Sequence, residues 1–153
     1  MMPSFSLAAS DQTESTHAPQ SDINLLRRFI TLPVSPHQAI WQTKEMVVSQ
    51  PRSFGPVDWM LCALLSFEKI PYQKILEQSP PASLDHPIFW NAEQILEWFP
   101  ETIKKKLSLE EGKYRWDTQD IREAKVFARS PLLHGYFIPL SESSQVFLFL
   151  YTM

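Results

Sequence analysis

Glycine is nearly missing from this chain. Only Gly55, Gly112 and Gly135 occur in 153 residues, far apart from one another. A phosphate-cradling loop needs several glycines close together, so that backbone N–H groups can approach an anion. Neither a P-loop nor a dinucleotide fingerprint can therefore be written on this sequence. Cysteine is scarcer still. The single Cys62 excludes an internal disulfide framework and a cysteine-rich metal site. A lone thiol is compatible with a reducing compartment.

Basic charge is also in short supply. Fourteen Lys and Arg face seventeen Asp and Glu, for a net charge of -3. Neutralising a phosphate backbone takes a basic face, so the balance argues against a nucleic-acid partner. No apolar run approaches the roughly 18 residues that span a bilayer as a helix, so membrane insertion is not expected. The opening "MMPSFSLAAS" carries no Lys or Arg and only a broken apolar stretch, unlike a secretory signal. The expected location is cytoplasmic.

Proline, by contrast, is plentiful, with thirteen residues that punctuate the chain. Residues 1–21 are rich in Ser, Thr, Gln and Ala, and their composition predicts a disordered N-terminal tail. Residues 22–153 then form a single globular domain. In "SPHQAIWQTKEMVVSQP", Ser35, Pro36 and Gln38 are placed as helix-start signals, and Pro51 ends the element. "FGPVDWMLCALLSFEKIP" starts in the same way at Pro56, and every residue from Trp59 to Leu65 is apolar. A helix that is apolar all round is buried all round, which predicts the central helix over 56–68.

Shorter helices are expected in "PYQKILEQ", in "NAEQILEWFP" with Asn91 and Gln94 as a capping pair, and in "ETIKKKL". Another follows Asp117 or Thr118 and carries the stripe Ile121, Ala124, Phe127 and Ala128. "FITLPV" fits helix or strand, and "KYRW" reads as a short strand. At the C-terminus "YFIPL", the polar turn "SESS" and "QVFLFLYT" make a hairpin. Pro139 lacks a ladder donor, so its strand is an edge strand or its pairing ends there. The near-continuous apolar last strand reads as central or covered on both faces. The expected fold class is α+β: several short-to-medium helices around one buried helix, with a small antiparallel C-terminal hairpin.

Chemistry-bearing residues are sparse. His17, His37, His86 and His134 show no metal-ligand spacing, so neither metal nor cofactor is expected. There is no Gly-x-Ser-x-Gly elbow, and Cys62 sits inside the apolar run as an inert small hydrophobe would. Lys104, Lys105 and Lys106 suit the C-terminal end of a helix. Arg122 and Arg129, on one face of the expected last helix, stand close in sequence to His134. These three could hold a carboxylate or phosphate. Phe89 and Trp90, in "HPIFWN" between a proline loop and a helix cap, are positioned as anchors for a protein partner. The expected function is a small non-catalytic interaction protein, an accessory, adaptor or regulatory subunit. The alternative is an enzyme or sensor that binds a small anion near Arg122, Arg129 and His134.

Overall fold

The computed structural model describes residues 17–45, 58–82, 87–117 and 120–152. Its centre is a five-stranded antiparallel sheet in the order β1-β2-β8-β7-β6. The strands are β1 (Gln38–Glu45), β2 (Trp59–Ser66), β6 (Arg122–Glu123), β7 (His134–Leu140) and β8 (Gln145–Tyr151). A second antiparallel sheet, β3-β5-β4, is built from β3 (Phe89–Trp90), β4 (Leu107–Glu110) and β5 (Lys113–Trp116). Among the described residues helix is confined to α1 (Ile23–Leu26), α2 (Lys69–Glu77), α3 (Glu101–Lys104) and a 3-10 turn over Ala92–Gln94.

The expected helix-rich α+β fold is therefore corrected to a mainly β one. Residues 59–66 of the expected buried helix form strand β2, and residues 38–45 of the helix expected after Pro36 form β1. The helix expected over 121–128 is the two-residue strand β6 followed by a turn. The physical reason lies in the neighbours. An all-apolar run satisfies a strand as well as a helix when both faces of the strand are covered.

Both faces of β2 are covered. Leu61, Ala63 and Leu65 join one core, while Met60, Cys62 and Leu64 join the other. The register keeps each set together. Leu61, Ala63 and Leu65 pair with Leu150, Leu148 and Val146 of β8, and Cys62 and Leu64 pair with Phe149 and Phe147. One core is closed by Leu26, Ile30, Tyr72 and Ile75 from the α1 and α2 segments, with Phe127 and Leu132. The other is closed by the small sheet, through Trp90 and Trp116, and by Phe99 and Ile103. β1 alternates more openly, burying Ala39, Trp41 and Thr43 on one face.

The C-terminal hairpin forms where its residues place it, joined by the turn at Ser141–Ser144. β8 is a central strand between β2 and β7. Pro139 lies past the end of the β6 pairing, which covers only Tyr136 and Phe137. "KYRW" is β5, α2 covers most of the expected "PYQKILEQ" helix, and the residues of "FITLPV" take neither helix nor strand. Gln94 accepts from the Asn91 N–H at 2.8 Å, as a capping pair should, but the element it starts is a single 3-10 turn.

The ends of the large sheet are partly occupied. Gln20 and Trp41 exchange two main-chain hydrogen bonds at the β1 edge, at 2.9 and 3.0 Å. Residues 1–16 of the expected tail lie outside the described residues. At the β6 edge, Pro81 bridges Arg122, with Ala82 N–H donating to Ile121 and Glu123 N–H to Pro80. Pro80 and Pro81 have no N–H to offer a further strand.

Candidate functional site

Two places on this frame are candidate sites. The first is β3, where strand alternation sends Phe89 and Trp90 to opposite faces. Trp90 points into the core and is buried, with ring centroids 5.0 Å from Trp116 and 5.1 Å from Phe149, both edge-on. Phe99 adds a third ring at 6.2 Å. Edge-to-face contacts of this kind fix ring positions as well as burying area. Phe89 points the other way and stays 39% exposed, opposite Arg115 of β5. The expected aromatic pair is thus divided between a packed anchor and a half-open ring beside it. His86, in the loop before it, lies outside the described residues.

The second place is at the outer end of β7. A hollow of about 310 Å³ is lined by Glu123, Lys125, His134, Tyr136 and Tyr151, among others. His134 opposes Tyr151 across the β7–β8 ladder, and their rings lie 6.0 Å apart at 25°. Burial is the main cause that pushes the Tyr151 hydroxyl above its ordinary pKa, and the neighbouring Tyr136 adds to it. Lys125 is paired with Glu123 at 3.2 Å. The hollow thus offers a cation, a carboxylate, an imidazole and two phenols, a polar lining suited to a small polar ligand.

The structure does not gather Arg122, Arg129 and His134. Arg122 pairs with Phe137, so its side chain takes the face opposite to that of Tyr136 and His134. Its guanidinium donates to the carbonyls of Leu76 at 2.9 Å and Ser79 at 3.0 Å, and contacts Asp120 at 3.2 Å. It ties the C-terminal end of α2 to the sheet edge, where the Leu76 carbonyl also accepts from the Ser79 N–H at 3.2 Å. Arg129 donates to the Arg27 carbonyl at 2.7 Å. Of the three, only His134 lines the hollow.

Tyr136, Tyr151, Glu123 and Lys125 are residues that sequence reasoning missed. The signal was period-two alternation, which puts His134 and Tyr136 on one face, but Tyr151 joins them only once the β7–β8 register is known. His37 lies 3.7 Å from the exposed Glu68. The Cys62 thiol is buried, and burial pushes its pKa far above the ordinary thiol range, which keeps it protonated. Among the described residues no cluster of three or more His, Cys, Asp or Glu is placed to hold a metal ion. None of the described helices is long and apolar enough to cross a membrane.

Comparison with protein-family models, with curated proteins and with solved structures gave no match.

Proposed function

We propose that this is a small, non-catalytic, cytoplasmic interaction protein, an accessory or regulatory subunit. It binds a protein partner at the proline-flanked surface around Phe89. The observation that carries the reading is the division of the Phe89–Trp90 pair. Trp90 is locked among Trp116, Phe99 and Phe149, so the ring of Phe89 is presented from a strand that cannot easily rearrange. A preorganised, half-exposed aromatic loses little freedom on docking, and such residues carry much of the energy of protein interfaces.

A photo-crosslinking amino acid placed at position 89 in the native cell, with Lys74 as a control site, tests this. A defined protein crosslinked from position 89 and not from 74 is the expected result. Phe89→Ala should then weaken binding of that purified protein by about tenfold or more. Equal labelling from both sites, or an affinity that Phe89→Ala leaves unchanged, would contradict the reading.

The hollow beside His134 favours a second reading, a sensor or enzyme for a small anionic ligand. Arg122 and Arg129 donate to main-chain carbonyls, so the ligand's charge would fall to His134 and Lys125. Titration with inorganic phosphate and with small carboxylates, followed by the His134 ring resonances, tests it. Saturable shifts that His134→Ala abolishes support the reading, and unmoved resonances count against it.

A further inference from the structure

Strand β4 ends the small sheet, with no described strand beyond it. Its main-chain groups can be assigned by phase. The β4–β5 hairpin turns through Glu111 and Gly112, at φ +53° and +81°, the positive values that a tight two-residue loop of the primed type requires. The closing pair of such a loop, Glu110 with Lys113, exchanges hydrogen bonds, and the bonded pairs then alternate. Ser108 with Arg115 is the next, and Asp117 N–H donating to the Lys106 carbonyl keeps the same phase. The N–H and C=O groups of Leu107 and Leu109 therefore point outward, away from β5. Leu109 is also 67% exposed, although its side chain shares a face with the half-buried Leu107 and the buried Trp116.

The sequence along this open edge has an unusual symmetry. Lys105-Lys106-Leu107-Ser108-Leu109-Glu110-Glu111 reads, from Ser108 outward, as leucine on both sides and then opposite charges on the two sides. An identical strand laid antiparallel and centred on Ser108 would set Leu107 against Leu109, and Lys106 against Glu110, twice over. The phase of the main chain agrees. Leu107 and Leu109, whose polar groups point outward, are the residues that would exchange bonds, and Ser108 would form the non-bonded pair on the two-fold axis. Other registers lose this match; a shift of two residues opposes Leu109 to Lys105 in one direction and Leu107 to Glu111 in the other.

We infer that β4 is a self-recognition edge, where a second copy of this chain pairs with the first in antiparallel register centred on Ser108. The two small sheets then join into one six-stranded sheet about a two-fold axis, an isologous contact. Opposite charges directly across strands attract, and like charges repel. Among the described residues Lys106 has no ion-pair partner, whereas Glu110 is shared with Arg115 at 3.5 Å across the β4–β5 ladder. The exposure of Leu109 on the inner side of the sheet leaves room there for the partner's Leu107. One short strand pair buries less than a standard stable interface, so the dimer is a weak one. The edge lies on the opposite side of β5 from Phe89, so the inference stands apart from the proposed partner site.

The test is sedimentation equilibrium of the full chain from micromolar to near-millimolar concentration, with Lys106→Glu, Glu110→Lys and an equimolar mixture of the two. The native chain should reach a dimer that weakens with added salt. Each reversal alone puts like charges in both cross-strand pairs and should raise the dimer Kd by about tenfold or more. The mixture should recover dimer, because in the heterodimer every Lys again meets a Glu. A native chain that stays monomeric throughout overturns the inference, and so does a dimer that neither reversal weakens. Folded variants whose mixture fails to recover dimer also overturn it. If a reversal does not fold by circular dichroism, amide exchange of the native chain decides. Protection of the Leu107 and Leu109 amides that grows with concentration supports the edge, and unchanged protection refutes it.

Discussion

Gly135 is the tightest single constraint in the large sheet. It lies within β7 opposite Leu150, at φ +151°, a conformation rarely taken by residues with a side chain. A Cβ there would overlap the Phe149 carbonyl oxygen and approach the Leu150 Cα to 2.8 Å. Gly135→Ala should therefore cost about 3 kcal/mol, combining backbone strain with overpacking. Urea denaturation checks this, and a loss below about 1 kcal/mol would show that the strand takes up a side chain. Arg122 acts through two carbonyls at the end of α2. Removing the guanidinium in Arg122→Ala takes the side-chain donor from both, leaving the Leu76 carbonyl only the Ser79 N–H, and should cost about 1.5–3 kcal/mol. That loss, measured without any ligand, is what a structural role predicts. As a ligand arginine it would instead leave unfolding nearly unmoved.

Protonation at the residue scale also sets an alkaline limit. Burial raises the pKa of Cys62, Tyr72 and Tyr151 above their ordinary values. Each group then holds its proton more tightly folded than unfolded. The resulting stability is complete below the unfolded values, about 8.5 for Cys and 10 for Tyr, and is lost as pH rises past them toward the folded values. The melting temperature should fall above about pH 9, less steeply in Cys62→Ala than in the native chain. A melting temperature that stays level to strongly alkaline pH would contradict the burial of these groups.

At the scale of elements, β8 carries the most weight. It lies between β2 and β7, and Val146 through Leu150 are all buried, alternate residues feeding opposite cores. Full burial of each large apolar side chain is worth about 1.5–3 kcal/mol, so losing these rivals the stability of a whole domain. A fragment of residues 1–145 should be insoluble or molten, and a native-like near-UV circular dichroism spectrum from it would contradict the central position of β8. This strand was legible in the sequence because a polar turn and a proline-bearing partner strand stand immediately before it. β2 was not. Its apolar run looks the same whether wrapped as a helix or laid between two layers, and its partners β1 and β8 join it at register positions that no local signal reports. In β1, the helix-start residues Ser35 and Pro36 precede a segment whose Ala39, Trp41 and Thr43 alternate inward, and tertiary pairing overrode the local signals.

Across the whole molecule, one sheet is covered on both faces, by the α1 and α2 segments on one side and by a smaller aromatic-rich sheet on the other. The candidate sites inherit their legibility from this arrangement. Phe89 could be singled out because the prolines before it and the capping residues after it are local signals. The hollow at His134 could not, since its lining comes from β6, β7 and β8 and the segments next to them, brought together only by register. Only a helix over 121–128 would set Arg122 and Arg129 on one face near His134. In the strand that forms instead, Arg122 faces away from His134.

The most direct test of this architecture is the pattern of nuclear Overhauser contacts over residues 59–66 and 145–151 in the intact chain. The expected result is cross-strand contacts linking Leu61 with Leu150, Ala63 with Leu148 and Leu65 with Val146, with strong sequential Hα-to-amide contacts along both segments. Sequential amide-to-amide contacts running through 59–66, with no contacts to 145–151, would mean a helix there and would contradict it.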